Sequence, residues 1–399
     1  MLLSRNMKII TDEKKIEEVL TRGVEEIIVR KDLEEKLKSG KILRIKLGID
    51  PTSPDIHIGR AIPLLKLRDF QELGHKIIFI VGDFTGVIGD TSDKDSERPM
   101  LSDEVIKKNM KDYVEQAGKI IDLSKCEIFY NSKWLSKLTY GEIGVQADCF
   151  SLSDFSSREN IKRRLDAGNR VSLREVLYPL MQGYDSVAVK ADVEIGGTDQ
   201  RFNLLAGRKL QEKYGQTSQN IIMNPLLIGI DGRKMSSSWG NTINLKAEPS
   251  DMYGKVMSLS DSLIVQYFEL TTRVPMSEVK KIKEMNPRDA KMRLAFEIVK
   301  IYHEEKKAKK AEENFIKTFQ KKEIPEEIEE TKCKKGELLS EVLVKNKILS
   351  SKGEWRRLVL ENAVHNLLKN ENIKDINLKI LENLTLKIGK KRFVKIIQK

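Results

Sequence analysis

The stretch Leu47-Gly48-Ile49-Asp50-Pro51-Thr52-Ser53-Pro54-Asp55-Ile56-His57-Ile58-Gly59-Arg60 decides the fold. The apolar run Ile42 to Ile49 leads into it and reads as a buried strand. Two prolines and an Asp-Pro pair then force a turn. After Gly59, the residues Ile62, Leu65, Leu67, Phe70 and Leu73 follow a helical period that stops at Gly74. Strand, tight turn and helix N-terminus in this order collect unpaired N–H groups at a positive dipole end, which suits a phosphate. Gly59 lets a ligand approach the backbone, and His57 can donate a hydrogen bond to a phosphate oxygen. An ordinary turn carrying a structural histidine fits this stretch equally well.

At 399 residues the chain can bury two or three cores. With 40% hydrophobic and 33% charged residues it reads as a soluble globular mixture. No apolar run approaches a bilayer span, and the N-terminus carries no signal-peptide pattern. Cys126, Cys149 and Cys333 are scattered and form no Cys-x-x-Cys pair, which indicates neither a disulfide framework nor zinc and points to the cytoplasm. The histidines, His57, His75, His303 and His365, make no metal-spaced cluster, so no protein-bound metal is expected.

Residues 8–40 read as helical. Lys76 to Gly82 is a short apolar run that fits a central parallel strand. Strand, helix and strand make a βαβ unit, whose ligands sit at the carboxyl ends of the strands. The segment Gly82 to Arg98 reads as an exposed loop with Asp90, Lys94 and Arg98 on it, and such cations near a phosphate stabilise charge in transfer. Residues 99–190 break the alternation and read as an insertion with aromatic islands at Phe129-Tyr130 and Trp134. Tyr178, Gln182 and Asp185 are spaced i, i+4, i+7, a polar stripe that fits a pocket for a small polar molecule or a capped, half-buried helix edge. Val193 to Arg201 repeats the strand–Gly–helix theme, with Gly196 and Gly197 suited to close approach by a ribose or adenine. A strand over Leu226 to Ile230 is expected to deliver Arg233-Lys234-Met235-Ser236-Ser237-Ser238 to the same edge.

The second half is helical over 250–320, then linker-like over 321–335. From Leu338 two helices (Leu338–Lys345 and Lys352–Glu361) precede strand-like runs at Asn377–Ile380, Thr385–Ile388 and Arg392–Ile397. The net charge is +12 overall. Gly336 to Lys399 holds fourteen Lys/Arg against seven Asp/Glu, which points to a polyanion such as RNA, or to a solvated lysine-rich surface.

His57-Ile58-Gly59-Arg60 and Lys234-Met235-Ser236-Ser237-Ser238 resemble the HIGH and KMSKS signatures of class I aminoacyl-tRNA synthetases. With Gly82–Arg98, Tyr178–Asp185 and Glu194–Gln200 in this order, essentially the whole chain resembles the bacterial tyrosyl-tRNA synthetases. The resemblance implies a Rossmann-like α/β parallel-sheet catalytic domain over 1–240 with an insertion at about 99–190. A helical anticodon-side domain over 241–320, the linker, and a small α+β S4-like RNA-binding domain over 336–399 would follow. It implies ATP with Mg2+, L-tyrosine and tRNA(Tyr) as partners, and a homodimer in the cytoplasm.

The implied roles fall on matching positions. Asp185 would accept from the substrate phenol, and Tyr178, Gln182 and Asp90 would hold its α-ammonium. Gly48, Asp50 and Gln200 would complete the tyrosine side, with Asp50 also reaching the ATP side. Thr52, His57, Gly59 and Arg60 would contact ATP phosphates, and Gly197, Asp199, Lys234, Met235 and Ser236 the remainder of the nucleotide. His57, Arg60, Lys94, Arg98 and Lys234 would form the catalytic set, the last three at the departing pyrophosphate. Arg356, Arg357, Lys390, Lys391 and Arg392 would contact RNA backbone. The chain departs from the family pattern in three places: Arg60 replaces a histidine, Ser237 replaces a lysine, and Lys46 stands where many members carry a tyrosine facing the phenol. Arg233, Lys94 and Arg98 are expected to compensate for Ser237. The alternatives are a tryptophanyl enzyme, a catalytically weakened RNA-binding paralogue and a nucleotidylyltransferase.

Overall fold

The computed structural model describes residues 9–91, 100–317, 329–369, 371–389 and 392–398. The chain divides into two compact units, Met1–Lys309 and Lys310–Lys399.

The first unit is built on six strands: β1 (Glu26–Ile28), β2 (Arg44–Ile49), β3 (Lys76–Val81), β4 (Cys126–Tyr130), β5 (Val193–Gly197) and β6 (Asn220–Asn224). Their order is β1-β6-β5-β2-β3-β4, parallel throughout except for β1, which runs antiparallel to β6. β3 is buried at every position after Lys76, as a strand covered on both faces must be. The chain steps from β2 to β3 in one direction, and β5 flanks β2 on the other side. The carboxyl ends of β2 and β5 therefore border a topological switch point, the place where open α/β sheets bind ligands.

The helices of the N-terminal part are α1 (Glu13–Thr21), α2 (Arg30–Lys38), α3 (Ile58–Glu72), α4 (Asp83–Ile88), α5 (Asp103–Met110) and α6 (Tyr113–Gly118). The short α7 (Ser132–Leu135), α8 (Tyr140–Ala147), α9 (Leu152–Ser156) and α10 (Glu159–Asp166) precede the long α11 (Leu173–Val189) and α12 (Arg201–Lys213). In α11 a Cβ at Gly183 would lie 3.1 Å from backbone atoms of Ala206 and Gly207, so this glycine sets how closely α11 meets α12. α13 (Pro249–Met257), α14 (Ile264–Thr271), α15 (Met276–Ile282) and α16 (Pro287–Phe315) follow the sheet.

The second unit holds strands β7 (Glu329–Cys333), β8 (Val364–Asn366), β9 (Glu371–Asn372), β10 (Leu384–Ile388) and β11 (Arg392–Gln398) in the order β7-β11-β10-β8-β9. α17 (Leu339–Lys345) and α18 (Lys352–Leu360) share its core, with Trp355 buried and its Nε1 donating to the Ile376 carbonyl at 2.8 Å.

Six sequence expectations need correction. Residues 8–40 are not all helical, because Glu26–Ile28 form β1 on β6. The segment after Val81 is not all loop, because Asp83–Ile88 coil into α4. The stretch 99–190 contributes a strand to the sheet itself: Phe129 and Tyr130 lie on β4, paired with Ile80 and Val81 of β3. The strand expected at Leu226–Ile230 lies earlier, at Asn220–Asn224; Pro225 lacks the N–H that would continue the ladder, and Ile228 keeps one isolated bridge, to Lys234. Asn377–Ile380 forms one bridge, Lys379 with Leu338, instead of a strand. Within the expected linker, Glu329–Cys333 pair with β11. Among the described residues no helix is long and apolar enough to cross a membrane.

Candidate active site

β2 ends in Asp50, and its carboxylate ties three elements together. Oδ1 accepts from Thr85 Oγ1 at 2.7 Å and Oδ2 from the Tyr178 hydroxyl at 2.8 Å. A Cβ at Gly82 would stand 2.0 Å from Asp50 Oδ1, so only glycine leaves that carboxylate its place. The turn then climbs to His57, the N-cap of α3, whose Nδ1 accepts the Arg60 N–H at 3.3 Å. Burial, with Arg60 and Lys234 nearby, pushes the His57 imidazole down to about 3. The ring is therefore neutral at physiological pH, with its hydrogen on Nε2, a donor suited to a phosphate oxygen. Arg60 donates to the Tyr113 hydroxyl at 2.8 Å and to Thr52 Oγ1 at 3.0 Å.

The stripe on α11 faces the same cavity. It measures about 370 Å3 and is lined by Gly48, Asp50, Asp90, Tyr178, Gln182 and Asp185. Thr52, His57, Gly59, Arg60, Gly197, Asp199, Gln200, Lys234 and Ser236 line it too. Asp185 is buried; Oδ1 accepts from Trp134 Nε1 at 2.7 Å and Oδ2 from Asn131 Nδ2 at 3.2 Å. Burial pushes its carboxyl up to about 7, against the opposing pull of Lys46, Trp134 and Asn131. Burial and Asp50 push the Tyr178 phenol well above its usual range. Asn131 and Trp134, following β4, escaped sequence reasoning, although the aromatic island at Trp134 was its visible trace.

Lys46 is fully buried within β2. Its ammonium donates to Glu194 Oε1 at 2.9 Å, Ser186 Oγ at 2.8 Å and the Gln182 carbonyl at 3.0 Å. Gln182 Nε2 in turn reaches Glu194 at 3.2 Å. The position expected to face the phenol thus holds an ion pair that supports the α11 stripe from beneath. Nearby, Gln200 Nε2 donates to Asp90 Oδ2 at 2.6 Å.

Lys234 closes the cavity from the opposite edge, its Nζ 2.8 Å from Asp199 Oδ2. Asn241 anchors this loop, accepting from the Ser236 N–H at 2.8 Å and donating to the Lys234 carbonyl at 3.0 Å. Met235 is buried beneath the loop, away from the cavity lining. Arg233 does not join the site: it pairs with Asp231 and stacks 4.7 Å over Trp239. Lys94 and Arg98 lie outside the described residues. Among the described residues no His, Cys, Asp and Glu cluster could hold a metal ion.

In the second unit, Arg356 and Arg357 are exposed on α18. Arg392 is partly committed, with one nitrogen 2.6 Å from Glu354 and another donating to the Ile348 carbonyl at 2.7 Å. Lys390 and Lys391 lie outside the described residues.

Comparison with known proteins adds an independent line. Residues 38–320 match the family model of class I tRNA synthetases (W and Y). The chain is 47% identical to the tyrosine–tRNA ligase of Carboxydothermus hydrogenoformans, covering 95% of this chain and 97% of that one. It is 42% identical to that of Thermotoga maritima, over 97% and 98%. It is 45% identical to tyrosine–tRNA ligase 2 of Clostridium acetobutylicum, over 98% and 100%. Among solved structures, the truncated mitochondrial tyrosyl-tRNA synthetase of Aspergillus nidulans superposes with a TM-score of 0.66 at 22% identity, covering 77% of this chain and 95% of that one. The Archaeoglobus fulgidus enzyme complexed with L-tyrosine gives 0.59 at 22%, over 75% and 99%. At these identities the two structures speak for the fold alone.

Proposed function

The chain belongs to the class I tRNA synthetases (W and Y), and from this premise we infer that its cavity is the tyrosine- and ATP-binding site of a tyrosine–tRNA ligase. The reaction has two steps. The tyrosine carboxylate attacks the α-phosphorus of ATP in line, a new O–P bond forms, and pyrophosphate leaves. The 3′-terminal hydroxyl of tRNA then attacks the tyrosyl carbonyl and AMP leaves.

The observation that carries the residue assignment is a single cavity lined by a buried carboxylate, Asp185, and by the cations Arg60 and Lys234. A carboxylate offers about four lone-pair positions, and Trp134 and Asn131 take two on Asp185, so a phenol can donate to those remaining. Tyr178, Gln182 and Asp90 hold the ammonium, with Gln200 bracing Asp90. Thr52, neutral His57 and Arg60 take the phosphates at the N-terminus of α3, where backbone and dipole favour an anion. Asp199 takes the ribose, and Lys234 exchanges its Asp199 partner for the departing pyrophosphate. No protein nucleophile is needed; catalysis is positioning and charge stabilisation. Magnesium arrives with the nucleotide, an ion that keeps several waters and needs one or two carboxylates besides phosphate.

The second unit serves as an S4-like RNA-binding module through Arg356, Arg357 and Arg392, and α13–α16 as the anticodon-side domain. The enzyme acts as a cytoplasmic homodimer. Exposed Tyr140, Val145, Leu152, Leu165 and Leu173 on α8 to α11 supply apolar surface for a second copy. A structure with a non-hydrolysable tyrosyl-adenylate analogue tests the assignment: the phenol is expected within hydrogen-bond reach of Asp185 and the phosphate beside His57 and Arg60. An analogue bound in the reverse orientation would overturn it.

A further inference from the structure

Asn109, Tyr113 and Gln116 are spaced i, i+4, i+7 across the junction of α5 and α6, and all three are buried. Two of them bond to the turn between β2 and α3, and the third bonds to Arg60 in the first turn of α3. Asn109 Nδ2 donates to the Pro51 carbonyl at 2.9 Å. Gln116 accepts from the Ile56 N–H at 2.8 Å and donates to the Pro54 carbonyl at 3.0 Å. Tyr113 is fully buried, and its hydroxyl accepts from Arg60 at 2.8 Å. This second polar stripe touches none of the cavity, since its residues are absent from the lining. Two amides thus fix three backbone groups of the phosphate-facing turn, and one phenol fixes the Arg60 side chain just inside α3.

We propose that Tyr113 is a positioning residue for tyrosine activation, holding the Arg60 guanidinium in its phosphate-facing pose against the rigid backing supplied by Asn109 and Gln116. An arginine carries far more rotamer freedom than the histidine of the HIGH signature, so a cation at position 60 acts as a preset group only if something holds it. Tyr113 holds one nitrogen and Thr52 Oγ1 another, 3.0 Å away. Their two oxygens fix the plane of the guanidinium before ATP arrives, so ordering it costs nothing in the transition state. The inference rests on the reading that Arg60 acts on the ATP phosphates.

The test is a double-mutant cycle in tyrosine-dependent pyrophosphate exchange with the full-length protein, using Tyr113→Phe, Arg60→Ala and the double variant, with thermal midpoints alongside. Tyr113→Phe keeps the ring that fills the core. It is expected to lower kcat roughly tenfold, the size of one lost charge-assisted hydrogen bond, with the KM for tyrosine and the thermal midpoint unchanged. In the Arg60→Ala background it should have no further effect. If Arg60→Ala is strongly impaired but Tyr113→Phe is silent, the positioning role is overturned and the Arg60 reading stands. If Tyr113→Phe costs the same with and without Arg60, or acts through a lowered midpoint, Tyr113 is merely structural. A silent Arg60→Ala overturns both.

Discussion

Replacing Asp185 by Asn should stabilise the folded protein at pH 8 while abolishing tyrosine activation. The carboxyl is buried between Trp134 and Asn131, and burial raises it from 3.8 to about 7. A raised carboxyl binds its proton more tightly in the native state than in the unfolded chain. Its contribution to stability is thus fully present below about pH 4 and is lost as pH rises to about 7. Above that, the ionised group costs about 4 kcal/mol, from roughly 1.4 kcal/mol per unit over about three units. Asn keeps an oxygen for the Trp134 N–H but turns an NH2 toward the Asn131 amide, losing one hydrogen bond at about 1 kcal/mol. The net gain is about 3 kcal/mol at pH 8 and within about 1 kcal/mol of zero at pH 5. Urea unfolding of both proteins at the two pH values measures it. An Asn variant no more stable at pH 8, or an advantage that fails to shrink by pH 5, refutes the reasoning. Such stability held back at a binding site is what a buried charge awaiting its ligand should show.

Three further outcomes follow from the same geometry. Lys46→Met leaves Glu194 buried without its cation and should cost about 3–5 kcal/mol in urea unfolding, whereas changing Glu194 to Leu as well should recover much of it; a loss under about 1 kcal/mol in the single variant contradicts this. The kcat/KM for tyrosine should fall below about pH 7, as Asp185 protonates, and Trp134→Phe should move that acid limb upward by removing a donor to the carboxylate; an unmoved limb counts against Asp185 as the titrating group. Lys234→Ala should slow pyrophosphate exchange by about a hundredfold with little change in the KM for tyrosine, and a normal rate would remove Lys234 from the chemistry.

What the sequence made legible followed from local physics. Ile42–Ile49, the prolines and the period after Gly59 announced β2, the turn and α3, because burial on both faces and helix punctuation are written in neighbouring residues. The Tyr178–Gln182–Asp185 stripe was legible from its spacing, and the structure brings it to the cavity that also holds His57 and Lys234. What escaped depended on distant partners. β1 is three residues long and exists because β6 offers an edge. Leu226–Ile230 is as apolar as a strand, yet Pro225 and the ladder decide where β6 stops. Asn131, Trp134 and Tyr113 are recognisable only once folding brings them to Asp185 and Arg60, and no spacing within the chain predicts separations of 54, 51 and 53 residues. Lys46 read as a missing phenol partner, because nothing local shows that Glu194 waits beside it. Arg233 read as a spare cation for Ser237, but Asp231 and Trp239 engage it.

Pyrophosphate exchange into ATP with the purified protein, offered tyrosine, tryptophan and phenylalanine separately, tests the central claim most directly. A pocket built to hydrogen-bond a hydroxyl leaves its carboxylate unpaired when the hydroxyl is missing, and tyrosyl enzymes facing phenylalanine are the standard illustration of that rule. Exchange with tyrosine alone is the expected result; it establishes the activation step and supports Asp185 as its selector. Exchange with tryptophan, or none with any of the three from a protein that still binds tRNA, contradicts the account and turns attention to Arg60 and Ser237.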